Sequence, residues 1–453
     1  MSHRMRIYLR VMLRSTNLLS EASNILNNNN QGLYTMPAAD LYPHQWLWDS
    51  CFIAIGLRHL DINRAQTEIL SLLRGQWLNG MLPNIIFSTG DKYSADRELW
   101  RSWLSPNAPA KIATSGITQP PMVAEAVIKI GEKLSPLERR IWYRRVYPSL
   151  VKYHEWLYAE RDPHQEGLVL SIHPWEIGMD NTPPWIAELS EHQLNSWIRT
   201  IKKLHLDNLI SHMRRDTKNI PSFERFGTVE LLAMFSIQWR LRRKAYDISR
   251  ILDHSLFAIE DVAFNAILIR NNHHLQNIAK TIRIPLNQEL IKRMKKTEHE
   301  FNRLWDTTTS QYHSRDFITH RLLKEESVAT MLALYAGTVP INYAHALVRQ
   351  LEDKNSFNTN CPVPSVPINS PWYKPLNYWQ GPSWININWL IIEGLKNYGF
   401  IDQAKKLRLS TLSTISNSGC YEYYNPENSN GLGASNFSWT AALAIDLALC
   451  PIN

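Results

Sequence analysis

"SPLERRIWYRRVYPSLVKYHEWLYAERDPHQEGLVLSIHPWEIGMDNTPPW" spans residues 135–185 and holds both halves of the unit from which the fold is built. The first half is a helix. Ser135 and Glu138 form a capping box, Pro136 takes the first helical position, and the segment runs as a helix towards Tyr158. The second half, 159–185, is a long loop. Its last thirteen residues contain two acids, three prolines and two tryptophans, a mixture that neither helix nor strand favours.

The same alternation recurs outwards in both directions. Asp61 caps a helix with apolar positions at Ala65, Ile69, Leu72, Leu73 and Trp77, stopped by Asn79–Gly80. Thr228, Pro285 and Pro340 open further periodic stretches, and Gly381–Pro382 leads into one that ends near Tyr398–Gly399. The last, Phe437 to Leu449, is apolar on most sides and is therefore expected to be buried. About a dozen helices result, mostly in sequential pairs, while β-alternation is almost absent. Loops at 29–47, 80–119, 159–185, 306–325, 354–382 and 417–436 are rich in Pro, Gly and Trp. This pattern predicts an all-α toroid: hairpins close into a ring and the long loops gather at one end. No repeat of about 34 or 40 residues is visible, which favours a closed ring over an open solenoid. No polar Ser/Pro/Gly linker interrupts the chain, so a single domain over 1–453 is expected, with 1–30 as an N-terminal helical extension.

Composition narrows the function. Hydrophobic residues make up 44% of the 453 and charged residues 20%, a globular and not a disordered balance. The net charge of +8 is scattered, and its densest runs, Arg240–Lys244 and Lys292–Lys296, lie in helical patterns as solvated faces. Neither a nucleic-acid nor a membrane partner is expected. No apolar run reaches the ~18 residues of a membrane span. Arg10 and Arg14 break up the N-terminal segment as a signal sequence, so a cytoplasmic location is expected. Cys51, Cys361, Cys420 and Cys450 are far apart and form no CxxC or His-containing ligand cluster. They read as reduced thiols, with no metal. His273–His274 read as surface residues. P-loop, GxGxxG, GxSxG and HExxH motifs are missing, so no cofactor is expected. Isoprenoid cyclases also use helical toroids, but they need a DDxxD-type cluster to hold magnesium, and none occurs here.

The chain contains 17 tryptophans, and the informative ones stand beside acids in the irregular loops. In "LYPHQWLWDS" (41–50), Tyr42, Trp46, Trp48 and Asp49 read either as a helix start with Asp49 as its cap, or as a sugar-binding rim. In 173–185, Asp180 reads either as an Asx-type cap of a helix beginning at Thr182 or Pro183, or, flanked by Trp175 and Trp185 whose burial raises a carboxyl pKa, as a general acid. Glu176 either tunes that pKa or binds substrate, and it competes for the acid role. Glu422, among Tyr421, Tyr423 and Tyr424, reads as a solvated edge residue or as a carboxylate that deprotonates water. Two carboxyls from distant parts of the chain are the minimum for glycoside hydrolysis.

Eight motifs now fall in one order: "YPHQWLWDSCFIAIGL", "QWLNGMLPNIIF", "SGITQPP", "HPWEIGMDNTPPW", "YHSRDF", "PVPSVP", "YWQGPSWININWLIIEGL" and "GLGASNFSWTAAL". From about Tyr42 to Leu443 the chain resembles the mannosylglycerate/glucosylglycerate hydrolases and related α-glucosidases of glycoside hydrolase family 63. The resemblance implies an (α/α)6 toroid, the six-hairpin glycosidase barrel, and an inverting α-glycoside hydrolase. It places the general acid on Asp180 and the general base on Glu422. The substrate site falls on Tyr42, Trp46, Trp48 and Asp49, with Gln119, Trp379 and Trp384 completing the pocket and Trp175, Glu176 and Gln380 beside them.

Three positions depart from the family pattern. Ile177 stands where Ser is frequent, Pro184 where a polar residue is commoner, and Gln380 where Arg is usual. A neutral amide pairs less strongly with an anion, which argues against glycerate as the aglycone, and Ile177 is the first place to look for a changed substrate. The expected partner is a small carbohydrate such as an α-glucoside, α-mannoside or glycosylglycerate, and self-association into a homo-oligomer is compatible with the sequence. Two other functions remain open at this point: a glycoside phosphorylase on the same toroid, and a catalytically silent carbohydrate-binding or scaffold protein.

Overall fold

The computed structural model describes residues 17–191, 196–203, 214, 216–218, 220–253 and 255–452. Of the N-terminal extension, residues 1–16 lie outside the described residues and 17–28 are helical.

Six helices form an inner ring: Leu47–Leu57, Val123–Gly131, Val262–Ile282, Ala329–Ala336, Ile385–Asn397 and Ser438–Leu449. Each packs on the next, and the last closes on the first. They are largely buried: all eleven residues of Leu47–Leu57 are, and all eight of Ala329–Ala336. Glycine lets the backbones approach. A Cβ on Gly56 would collide with the backbone of Ala442, and one on Gly394 with the backbone of Leu334 and Tyr335.

The outer layer comprises 17–28, Ile62–Leu73, Pro136–Glu160, Gln288–Phe301, Ile341–Glu352 and Ile401–Ser418. Three of them begin at side-chain caps that the sequence carries, Asp61, Ser135 and Asn287. Asp61 accepts from the backbone of Asn63 and Arg64, and Ser135–Glu138 form the full capping box. The first of these ends at Leu73, so Trp77 lies beyond it, buried in the following turn. One continuous hydrophobic core runs from Leu18 to Leu447. The result is the all-α toroid, with the N-termini of the inner helices and the long loops at one end.

Thr228–Arg243 is not part of the ring. It packs with Ser94–Trp100, Pro183–Glu191 and Ser196–Lys203 as an excursion between the second and third inner helices. Part of its apolar face, at Ala233, joins Ile198 in a small core of its own. Strands are short and paired in twos; the longest pair, Tyr421–Tyr424 with Gly431–Ser435, is antiparallel and leads into the last inner helix.

Candidate active site

A cavity of about 520 Å³ opens at the loop end of the ring. Asp180 and Glu422, 242 positions apart in the sequence, both line it.

Asp180 is delivered by a stiff loop. His173 starts the single turn Pro174–Ile177: its Nδ1 accepts from the backbone N–H of Trp175 at 3.0 Å, and its Nε2 donates to the Met234 carbonyl at 3.0 Å. Burial lowers this imidazole to about 3, so it stays neutral. Gly178, at φ +78°, ends the turn, and a Cβ there would sit 2.7 Å from the Trp48 ring. The Trp185 indole donates to the Asp180 carbonyl at 3.1 Å. Burial raises the Asp180 carboxyl to about 7; Arg225 opposes that rise and the Glu422 charge adds to it. Among the described residues no donor bonds to this carboxyl.

Glu422 has the opposite surroundings. Its Oε1 accepts from the Tyr42 hydroxyl at 2.9 Å and its Oε2 from the Ala434 N–H at 3.1 Å. Arg225 Nη1 donates to both oxygens at 3.3 Å. The strand that carries it is anchored by reciprocal backbone bonds between Tyr424 and Ser383.

Aromatic rings line the same cavity. Trp379 and Trp384 stack face to face at 3.7 Å, and Trp48 meets Trp439 edge-on at 5.6 Å. The indole N–H groups of Trp46, Trp379 and Trp439 are buried and have no partner among the described residues. Gln119 accepts from the Trp48 N–H at 3.4 Å, and Trp175 also lines the cavity. Trp46 takes the N-cap position, so Asp49 does not cap: it sits in the first turn and lines the cavity. Burial pushes its carboxyl well above the usual range.

Two expected site residues stand elsewhere. Glu176 does not line the cavity; its carboxylate pairs with Arg161 at 2.8 Å and accepts from the N–H groups of Ile172 (2.8 Å) and Thr118 (3.3 Å). It is a buried strut, since a carboxylate so fully bonded has little left for a ligand. Gln380 also lies outside the lining, donating to the Asn181 carbonyl at 3.0 Å and accepting from Lys374 at 3.1 Å. The Gln at this position therefore says nothing against an anionic aglycone. Ile177 and Pro184 are buried and likewise outside the lining.

Sequence reasoning missed Arg214, Asp216, Arg225 and Tyr378, all of which line the cavity. The first three belong to the segment before Thr228, where the only signal was "SFERFG", an arginine between two phenylalanines ahead of a helix. Arg214 holds Asp216 through two bonds, at 3.0 and 2.6 Å. His274 is also not a plain surface residue, because it bonds to the buried Glu125 at 2.5 Å.

One His/Cys/Asp group occurs among the described residues, His59 with Asp446 and Cys450, which chain spacing did not reveal. Asp446 there already bonds to Arg58 at 2.8 Å, His59 at 2.9 Å and the Trp389 indole at 2.9 Å. The Arg58 guanidinium supplies the positive charge that a metal would bring.

Residues 42–440 match the model of the mannosylglycerate hydrolase MGH1-like glycoside hydrolase domain. The chain belongs to this family. It is 38% identical to the mannosylglycerate hydrolase of Thermus thermophilus, over 94% of this chain and 99% of that one. It is 31% identical to the glucosylglycerate hydrolase of Mycolicibacterium hassiacum, over 95% and 97%. The crystal structure of the Thermus thermophilus GH63 mannosylglycerate hydrolase with Tris and D-glycerate superposes with a TM-score of 0.85 at 36% identity, over 95% of this chain and 99% of that one. The protein is accordingly a glycosidase with the six-hairpin fold of its family, which sets aside the silent scaffold. Among the described residues no helix is long and apolar enough to cross a membrane.

Proposed function

We propose that the protein is an inverting hydrolase of α-glycosylglycerates, with Asp180 as general acid and Glu422 as general base. The observation that carries this reading is the contrast between two carboxyls on one cavity. Asp180, half-buried with no donor to its carboxyl among the described residues, holds its proton up to about pH 7, whereas Glu422 accepts hydrogen bonds from Tyr42, Ala434 and Arg225. In the proposed step Asp180 gives its proton to the glycosidic oxygen as the C–O bond breaks. Glu422 takes a proton from the water whose oxygen bonds to the anomeric carbon on the opposite face.

The substrate class rests on the relatives, whose names give mannosylglycerate and glucosylglycerate. The cavity is in keeping with it. The aromatic rings and Asp49 suit the faces and hydroxyl groups of a sugar, and Arg214 suits a small carboxylate. The test is turnover of α-mannosylglycerate and α-glucosylglycerate by wild type, Asp180→Asn and Glu422→Gln. Each variant should lose about 10²–10⁴-fold in kcat with its fold intact. Near-normal kcat in either variant would remove that residue from its role, and a requirement for phosphate would make the enzyme a phosphorylase.

A further inference from the structure

We infer that Arg225 and Tyr42 are positioning residues that clamp Glu422, holding its carboxylate in one plane to receive a proton from water. The inference rests on the assignment of Glu422 as base.

A carboxylate rotates about its last bond, and a base that rotates spends much of its time misaligned with the water it must deprotonate. Here three donors from distant parts of the chain fix it: the Tyr42 hydroxyl on Oε1, the Ala434 N–H on Oε2, and Arg225 Nη1 bridging both. The two side-chain donors also hold each other, since Arg225 Nη2 donates to the Tyr42 oxygen at 2.7 Å. That bond leaves the Tyr42 proton committed to Glu422. Tyr42 is therefore more than a ring for stacking on sugar.

Arg225 is itself held. Its guanidinium lies over the Tyr378 ring at 4.3 Å and is 4% exposed. Its neighbour Glu224 accepts from the Gly433 N–H at 2.8 Å, while the Glu224 carbonyl accepts from the Tyr423 hydroxyl at 2.7 Å. Both partners belong to the hairpin that carries Glu422. The loop and the hairpin are thus tied together on either side of the ion pair, which fixes the guanidinium relative to the carboxylate. A loop positioned only to meet an aglycone would not need these bonds.

An α-glycosyl fluoride separates the base from everything else. Fluoride leaves as the anion without a proton from Asp180, and no aglycone carboxylate is present, yet water must still be deprotonated. The experiment measures kcat and KM for α-mannosyl or α-glucosyl fluoride and for the matching glycosylglycerate, with thermal melting of each variant. Arg225→Met should lose about 10²-fold in kcat on both substrates, and Tyr42→Phe, which removes one oxygen and keeps the ring, about 10-fold on both. Arg225→Lys should recover part of the Arg225→Met loss. Asp180→Asn should be slow on the glycoside alone. Arg225 variants with normal kcat on the fluoride and a raised KM only for the glycerate substrate would overturn the clamp and make Arg225 an aglycone contact. If Arg225→Met does not fold, normal fluoride kcat in Tyr42→Phe overturns it by the same criterion. Normal fluoride hydrolysis by Glu422→Gln would remove the base assignment itself, a separate result.

Discussion

Glu176 and Arg161 form a buried ion pair, 2.8 Å between Oε1 and Nη2, directly behind the loop that carries Asp180. Arg161 also lies over the Trp156 ring at 4.7 Å, so one guanidinium ties the Asp180 loop to the outer helix Pro136–Glu160. Glu176→Ala leaves that guanidinium buried without its carboxylate. We expect a loss of about 3–5 kcal/mol in urea unfolding. If activity disappears while stability is unchanged, Glu176 acts on substrate and is not a strut.

Asp180 carries a pH signature in stability as well as in rate. Its carboxyl titrates near 7 in the folded protein against 3.8 as its ordinary value. Between these limits the unfolded chain releases a proton that the native state keeps. This contribution to stability is therefore full below about pH 4 and is lost as pH rises through 7. Asp180→Asn removes it, so the variant should melt above wild type at pH 8 and level with it near pH 4. For wild type, kcat/KM should fall on the alkaline side with a midpoint near 7. An unchanged melting temperature at pH 8 would show that the carboxyl is not desolvated.

Two buried histidines act in the opposite sense. Burial lowers His173 to about 3 and His154 to about 4, below the ordinary 6.5. Below pH 6.5 the unfolded chain binds protons that the native state refuses. Their contribution is thus full above 6.5 and lost as pH falls through 4 and then 3. At pH 5 each of these histidines takes up a proton on unfolding while Asp180 releases one, and His154→Gln should shift the net proton balance of unfolding by up to one towards release.

Gly178→Ala should cost more than its size suggests. The residue sits at φ +78°, and the added carbon would press on Trp48, a wall of the cavity. Activity should fall at least 10-fold, with Asp180 and Trp48 displaced together. A crystal structure of the variant with both residues in place would contradict this.

How much of this was legible in sequence depends on the range of the signal. Asp61, Ser135 and Glu138 announce helix starts through bonds to the next few residues, and those starts were read correctly. The apolar character of Phe437–Leu449 foretold an inner helix because burial on all faces leaves that mark directly. Asp180 and Glu422 were legible as acids in aromatic loops. Arg225 was not, because what places it beside Glu422 is a contact across 197 positions. Glu176 and Gln380 misled for the same reason. Each sits beside a cavity residue in the chain, but its side chain turns to Arg161 or Asn181, and no local pattern records that direction.

Inversion by Asp180 and Glu422 on an α-glycosylglycerate leaves a stereochemical mark on the product. The most direct measurement is proton NMR of α-mannosylglycerate and α-glucosylglycerate digests within the first minutes, before mutarotation. The free sugar should appear first as its β-anomer and drift to equilibrium. An α-anomer appearing first would mean a covalent glycosyl-enzyme with Glu422 as nucleophile, and would contradict inversion.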